Sequence, residues 1–466
     1  MTMKRTVTTA VLGRVPKLLG SDVELGNFLL GTGHTDTAEA AARLLLHAIK
    51  GVSAERRPPA YGAWGTYGAH ESSPPSAFVN PEEWGRRYLP EMGGAAYLDL
   101  GHAEMCTPEV TSAGDFVAAR HALLRVAQRA QAAVNATLPA GRKLEVLANN
   151  SDGLSHSFGS HTSVLLTRRA WENLFERRLH HLLYLAAFQV SSIVFSGSGK
   201  VGAENGAPAV DFQLTARGDF FQQLLGVQTT YRRPIVNARD EALSGSSAWA
   251  GAGAARPAYG RLHVIFFDSH LCEGSMLLTA GATQIVLAMI EAEHIDPGLM
   301  LDEPLEALVR WGHDPDLRTR ARTAAGRQLT AVELQQGFLD HAARFVADGG
   351  CEGIVPGADE IVALWADTLA KLRRRDFAAL TGRLDWVLKR HALERALARH
   401  PSLTWRSPAM KVLDHRYASL DADEGLYWAY RRAGVVERLV TDEDIARFEV
   451  EPPADTRAWT RAMLLR

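Results

Sequence analysis

Gly93–Val110 reads GGAAYLDLGHAEMCTPEV and places Asp99, His102, Glu104 and Glu109 close together, behind a β-type run at Ala96–Leu100. Upstream, Gly20–Gly26 (GSDVELG) carries Asp22 and Glu24 two positions apart. Residues two apart on a strand point to the same face. Carboxylates sharing a face repel each other and lose hydration, so they ordinarily hold a cation between them. Hard oxygen donors of this kind suit Mg²⁺ or Mn²⁺, the ions that accompany nucleotide phosphates. Each segment also has a plain structural reading: an acidic pair on an exposed edge, Asp99 capping a turn, Glu109 opening a helix behind Pro108. The functional reading rests on the two acidic segments lying in the same β-and-glycine surroundings.

Outward from these segments, Lys143–Ala148, Ser192–Ser196, Phe212–Thr215 and Leu262–Phe267 read as strands. Asp115–Ala136 and Ala170–Phe188 read as helices packed on them. Strands with helices massed on one side predict an α+β fold rather than a doubly wound sheet. After Pro297 the pattern turns helical, through Pro304–Arg310, Ala331–Ala347, Ala358–Arg375 and Leu384–Arg399. Leu277–Ile290 reads as a buried core helix, since no apolar run reaches the length of a membrane span. Two loop-like stretches stand out: Ser53–Pro90, with six prolines, and the Gly/Ala/Ser-rich Leu243–Gly260. Long loops inside a domain are commonly functional or disordered.

Composition narrows the function. The 466 residues hold 46% hydrophobic and 22% charged residues, with a net charge of −2, which argues against nucleic acid and anionic membrane as partners. The three cysteines (Cys106, Cys272, Cys351) form no paired motif and fit a reducing, cytoplasmic setting. Cys106, with no positioned base in view, reads as an inert buried thiol.

Further polar segments follow. Asn149–Arg168 sets His156 and His161 among Gly, Ser and Asn, a composition able to cradle phosphate through backbone N–H groups. Phe195–Gly202 (FSGSGKVG) lacks the spacing of a P-loop. Phe212–Phe221 and Arg232–Glu241 place Arg217, Arg233 and Arg239 beside strands, where a guanidinium fork can bind two phosphate oxygens or pair with a neighbouring aspartate. Gly260–Asp268 puts His263 on a strand, either as a core histidine or as a ligand.

Taken in order, GSDVELG, YLDLGHAEMCTPE, NNSDGLSHSFGSH, FSGSGKVG, FQLTARGDFF, RRPIVNARDE and GRLHVIFFD resemble the Pup ligase/Pup deamidase family of the glutamine synthetase-like carboxylate–amine ligase superfamily. GLYWAYRRAGVVERLVT and EPPADTRAWTR are family-like further on. The resemblance implies a glutamine synthetase-like antiparallel sheet packed by helices, then a mostly helical part and a small truncated C-terminal domain. Its expected divisions are an N-terminal extension over 1–19, a catalytic domain over 20–400 with an inserted loop at 53–90, and a small domain over 401–466.

By the same resemblance, Asp22, Glu24, Glu104, His161 and His263 would bind metal. Arg217, Arg233, Asn237, Arg239 and His161 would bind nucleotide, and Asp99 with Arg217 would be catalytic. The implied cofactors are ATP (or ADP plus phosphate) and Mg²⁺. The implied partner is a small disordered Pup-like protein or its conjugates, or else a peptide or small-molecule amine. Three activities are compatible with the family. The first is an amide or isopeptide hydrolase of the Pup deamidase/depupylase type, with Asp99 at the reacting carbonyl. The second is a ligase working through a glutamyl phosphate, and the third is an inactive nucleotide-binding regulator. The long Pro-rich stretch before Asp99 and the Asp-x-x-His-x-Glu spacing favour the hydrolase branch. Asp22 replaces a family glutamate, Thr162-Ser163 follow His161 where the family has Glu-Asn, and Ser269-His270 follow Asp268 where it has Ala-Asn, so an altered substrate is expected.

Overall fold

Alternation along the first long strand, Leu19–Leu30 (β1), sets the architecture: Leu19, Ser21, Val23 and Leu25 are buried, while Asp22 and Glu24 between them are half-buried. One face of the sheet therefore packs on helices and the other stays polar. The computed structural model describes residues 13–33, 37–53, 86–153, 155–240 and 258–466. Most of the Ser53–Pro90 and Leu243–Gly260 stretches lie outside the described residues.

An eight-stranded sheet runs in the order β12-β7-β1-β5-β4-β3-β2, with β6 also paired to β1. Its strands are β1, β2 (Val52–Ser53), β3 (Arg87–Leu89), β4 (Gly94–Asp99), β5 (His102–Cys106), β6 (Lys143–Leu147), β7 (Ser160–Thr167) and β12 (Tyr259–Val264). Every pairing in it is antiparallel. Between β7 and β12 come the short pair β8 (Lys200–Val201) and β9 (Phe212–Gln213) and the parallel pair β10 (Phe221–Gly226) and β11 (Arg233–Asn237).

Two helices back the sheet. In α1 (Ala38–Ala48) the buried residues Ala41, Ala42, Leu45 and Leu46 form one stripe, which packs on β1, β4 and β5. In α2 (Ala113–Asn135), Ser112 caps the start by accepting from the Asp115 N–H at 3.0 Å, and the helix lies on β1 and β6. Farther from the site, α4 (Leu179–Ser196) and α5 (Glu273–Glu291) form the centre of a helical layer with α7 (Ala331–Ala347) and α8 (Ala358–Arg374). Both are long and apolar enough to cross a membrane, but 83% and 94% of those windows are buried here against the rest of the chain.

The fold is thus the expected α+β arrangement, an antiparallel sheet packed by helices and followed by a mostly helical part. Two local expectations are corrected. Ser192–Ser196 is not a strand but the last turn of α4. Ile193, Val194 and Phe195 are buried along with nearly every other residue of that helix, so no one-sided period shows and the β-branched pair looks strand-like. The serine hydroxyls there donate back into the helix, Ser191 to the Ala187 carbonyl at 2.6 Å and Ser192 to that of Gln189 at 2.7 Å. Ala170–Phe188 is not one helix either: α3 (Arg168–Glu172) passes through a π-turn at Asn173–Arg177 before α4 begins.

Both ends of the described chain are tied down by ion pairs. The Lys17 ammonium pairs with the Glu291 carboxylate of α5 at 2.5 Å, both side chains fully buried. Near the other end, Arg457 and Arg461 of α13 (Arg457–Leu465) pair with Glu109 at 2.5 and 2.7 Å.

Candidate active site

Register brings the acidic segments together. Glu24 on β1 lies opposite Glu104 on β5, which in turn lies opposite Tyr97 on β4. Asp22 lies opposite His161 on β7, and Asp99 opposite His102 across the β4–β5 hairpin. Cross-strand partners share a face, so all these side chains look out of the polar side of the sheet. They line a cavity of about 250 Å³ together with Ser157, Phe158, Gly159, Arg233, Arg239, Arg261 and His263.

Two donor sets form within it. The ligating atoms of Asp22, His161 and His263 lie within 4.8 Å of one another, as do those of Glu24, Asp99 and Glu104. His161 Nδ1 sits 2.9 Å from Asp22 Oδ1, and the two imidazole rings meet edge-on at 5.0 Å. The Glu24 carboxylate accepts from the Gly159 N–H at 2.8 Å. Glycine is required at 159, because a Cβ there would fall 2.1 Å from His161 Nε2. Tyr97 donates its hydroxyl to Glu104 at 2.5 Å, and Arg86 lies over the Tyr97 ring at 4.0 Å.

The electrostatics match a cation site. Burial, with Asp22 and Glu24 beside it, holds the Glu104 carboxyl well above the usual carboxylate range. Burial also raises the Tyr97 phenol, so it stays a donor. At Asp22 burial opposes ionisation, but His161 and His263 outweigh it and keep the carboxyl low. Burial, then the neighbouring His161, pushes the His263 imidazole down to about 3. Both of its ring nitrogens are buried without a hydrogen-bond partner among the described residues. A buried imidazole left this way is poorly satisfied unless something coordinates it. The residues present therefore fit divalent metal, and the three arginines on the cavity wall fit an anionic, phosphate-bearing ligand.

Asp22, Glu24, Asp99, Glu104, His161, His263, Arg233 and Arg239 all reach the cavity wall. Arg217 and Asn237 do not. The Arg217 guanidinium is fully buried and donates to the Ile265 and Phe267 carbonyls, so it pins the end of β12. Asn237 accepts from the Arg239 N–H at 2.9 Å and donates to the Gln228 carbonyl at 3.2 Å, shaping the turn that presents Arg239. Arg233 donates to the Ser157 carbonyl at 2.5 Å. Asp240, the aspartate next to Arg239 in the sequence, pairs with Arg168 at 2.8 Å. Cys106 is held by Tyr97 at 3.6 Å with its thiol raised by burial, in keeping with an inert role.

Tyr97, Arg261 and Gly159 were not singled out from the sequence. Tyr97 and Arg261 each lie two residues before an expected site residue on the same strand (Asp99 and His263), so strand periodicity is a usable signal for both.

A polar sheet face that gathers carboxylates, imidazoles and arginines, with helices behind it, is the layout of an enzyme site for metal and phosphate. The sequence profile of the Pup-ligase protein family matches residues 17–466, and the chain belongs to that family. It is 34% identical over 397 residues to a Pup deamidase/depupylase of Mycolicibacterium smegmatis, covering 85% of this chain and 75% of the relative. It is also 34% identical over 391 residues to a Pup–protein ligase of Acidimicrobium ferrooxidans, covering 82% and 81%. Among solved structures, the ligase PafA in complex with Pup superposes with a TM-score of 0.76 at 23% identity, covering 97% of this chain and 82% of that one. PafA in complex with ADP gives 0.70 at 24% identity, covering 89% of each chain.

Proposed function

We propose that the protein is an ATP- and Mg²⁺-dependent amide hydrolase of the Pup deamidase/depupylase type, acting in the cytoplasm on a Pup-like protein or its conjugates. The observation that carries this reading is the position of Asp99, on the wall of one cavity with both donor sets and with the arginines. Mg²⁺ with nucleotide would supply positive charge and a phosphate beside the substrate carbonyl. Glu24 and Glu104 would hold the ion, together with Asp22, His161 and His263. Arg233 and Arg239 would orient the phosphate chain, which their position across from the carboxylates supports. A second cavity of about 520 Å³ on the same face shares Asp22 and Arg261 with the first and carries Arg86, Tyr88 and Arg457. It has room for the nucleoside. Asp99 would activate water, or attack directly, at the carbonyl of a glutamine amide or glutamyl–lysine isopeptide.

The hydrolase direction is supported by the long Ser53–Pro90 stretch between the acidic strand and Asp99. The second reading, a ligase joining a glutamate side chain to an amine, is favoured by the equal 34% identity to a named ligase. Purified protein with ATP, Mg²⁺ and a Gln-terminated Pup-like tail separates them. Mass spectrometry should show the one-dalton gain of deamidation with no stoichiometric ATP loss. ATP turnover matched one-for-one to a new amine conjugate would establish the ligase instead.

A further inference from the structure

We infer that Glu204, locked in place by Lys200, is a positioning residue: it holds Ser151 and Ser155 so that the Ser157 carbonyl keeps Arg233 aimed into the cavity. The inference rests on the reading of Arg233 as a phosphate-binding group and adds the device that orients it.

A lysine in a glycine-rich turn such as Phe195–Gly202 suggests a phosphate ligand. Lys200 is instead 2% exposed and does not reach the cavity wall. Its ammonium lies 3.0 Å from Glu204 and 2.9 Å from Asp219. Asp219 also accepts from the Glu204 N–H at 2.8 Å and from the Gln213 amide at 2.9 Å. Glu204 is thus gripped at its backbone and at its carboxylate. A buried polar network satisfied in this way is rigid.

The rest of that carboxylate faces the segment that lines the cavity. It accepts from the Ser151 hydroxyl and, at 3.2 Å, from the Ser155 N–H. Ser155 has φ of 73°, and Asn205, which donates its N–H to the Ser155 hydroxyl at 3.4 Å, has φ of 55°. Left-handed backbone at residues other than glycine persists where surrounding contacts hold it. Ser151 forms a β-bridge with Ser157, whose carbonyl accepts from Arg233 at 2.5 Å. The network meets Arg233 on a second side, because the Lys200 ammonium and the Arg233 guanidinium lie 5.1 and 5.9 Å from the centre of the same Phe220 ring.

The test titrates the full-length chain calorimetrically with Mg²⁺ and a non-hydrolysable ATP analogue. Glu204→Ala leaves the Lys200 charge matched by Asp219 and removes the acceptor for Ser151 and Ser155. Nucleotide affinity should fall about fivefold or more, and Glu204→Gln, which keeps an acceptor oxygen, should bind within about twofold of the parent. In an Arg233→Ala background the same Glu204→Ala change should cost less than about twofold, an epistasis that general loosening of the fold does not produce. If Glu204→Ala fails to fold, Ser151→Ala decides, with a loss of about twofold or more that again vanishes without Arg233. Parental affinity in folded Glu204→Ala, an undiminished loss in the Arg233→Ala background, or no recovery with Glu204→Gln would each overturn the inference. Arg233→Ala alone tests the phosphate reading. Weakened binding there with parental binding in Glu204→Ala removes the inference and leaves that reading standing, whereas parental binding in Arg233→Ala removes both.

Discussion

At the scale of single residues, position on the face matters more than residue type. Asp22 and Glu24 were legible because a strand has period two and one slip would bury both carboxylates against α1 and α2. The placement of Arg217 was not legible: sequence shows a guanidinium beside a strand, not that it turns inward onto carbonyls of Ile265 and Phe267. Asp99→Asn keeps the shape of the site and removes its base. Amide cleavage should fall by roughly 10²–10⁴-fold while nucleotide affinity, measured calorimetrically, changes by less than about threefold. Away from the cavity, Glu291→Ala leaves the Lys17 ammonium buried with its charge uncompensated. Urea unfolding should show a loss of about 3–5 kcal/mol.

At the scale of elements, hairpins and caps decide how the site is held. The β4–β5 turn runs through Leu100 and Gly101, with φ of 44° and 87°. Two consecutive left-handed residues match the twist of a tight hairpin, but leucine is strained there. Leu100 is also 61% exposed, so it recovers little by burial. Leu100→Asn should therefore stabilise the protein by about 0.5–1 kcal/mol in thermal or urea unfolding.

The contact that docks α13 is pH-dependent. Burial opposes ionisation of Glu109, but Arg461 and Arg457 outweigh it and hold the carboxyl down to about 2, against an ordinary 4.5. A carboxyl depressed on folding stabilises the fold at pH above its ordinary value and loses that contribution as pH falls toward its folded value. Both arginines are partly in water, so the pair is worth on the order of 1–2 kcal/mol. The difference in melting temperature between the parent and Glu109→Gln should be constant above pH 4.5 and close between there and pH 2.

Legibility at this scale followed exposure. Ala331–Ala347 was readable to the residue because one side meets water and the Thr330–Glu333 capping box marks its start. Ser192–Ser196 was misread because α4 is surrounded by protein, and an all-buried helix carries no stripe.

At the scale of the molecule, the α+β class followed from strands with helices on one side, and the strand order did not. Pairing of β1 with β5, β6 and β7 at once depends on long-range contacts that no local pattern encodes. Removal of residues 54–85 should leave this sheet assembled, since its pairings beyond β2 and β3 lie elsewhere in the chain. On the hydrolase reading, that deletion should depress amide cleavage at least about tenfold and leave nucleotide affinity near that of the parent. Equal cleavage would favour the ligase direction.

The central place of β1 has a consequence for biosynthesis. β1 leaves the ribosome well before its partner Ser160–Thr167, which pairs in turn with β12. At ordinary elongation rates that partner arrives on the order of ten seconds later. For that interval the nascent polypeptide carries an unpaired strand, apolar on one side and acidic on the other. Its repelling carboxylates act as gatekeepers against sticking to neighbouring chains until the sheet closes around it.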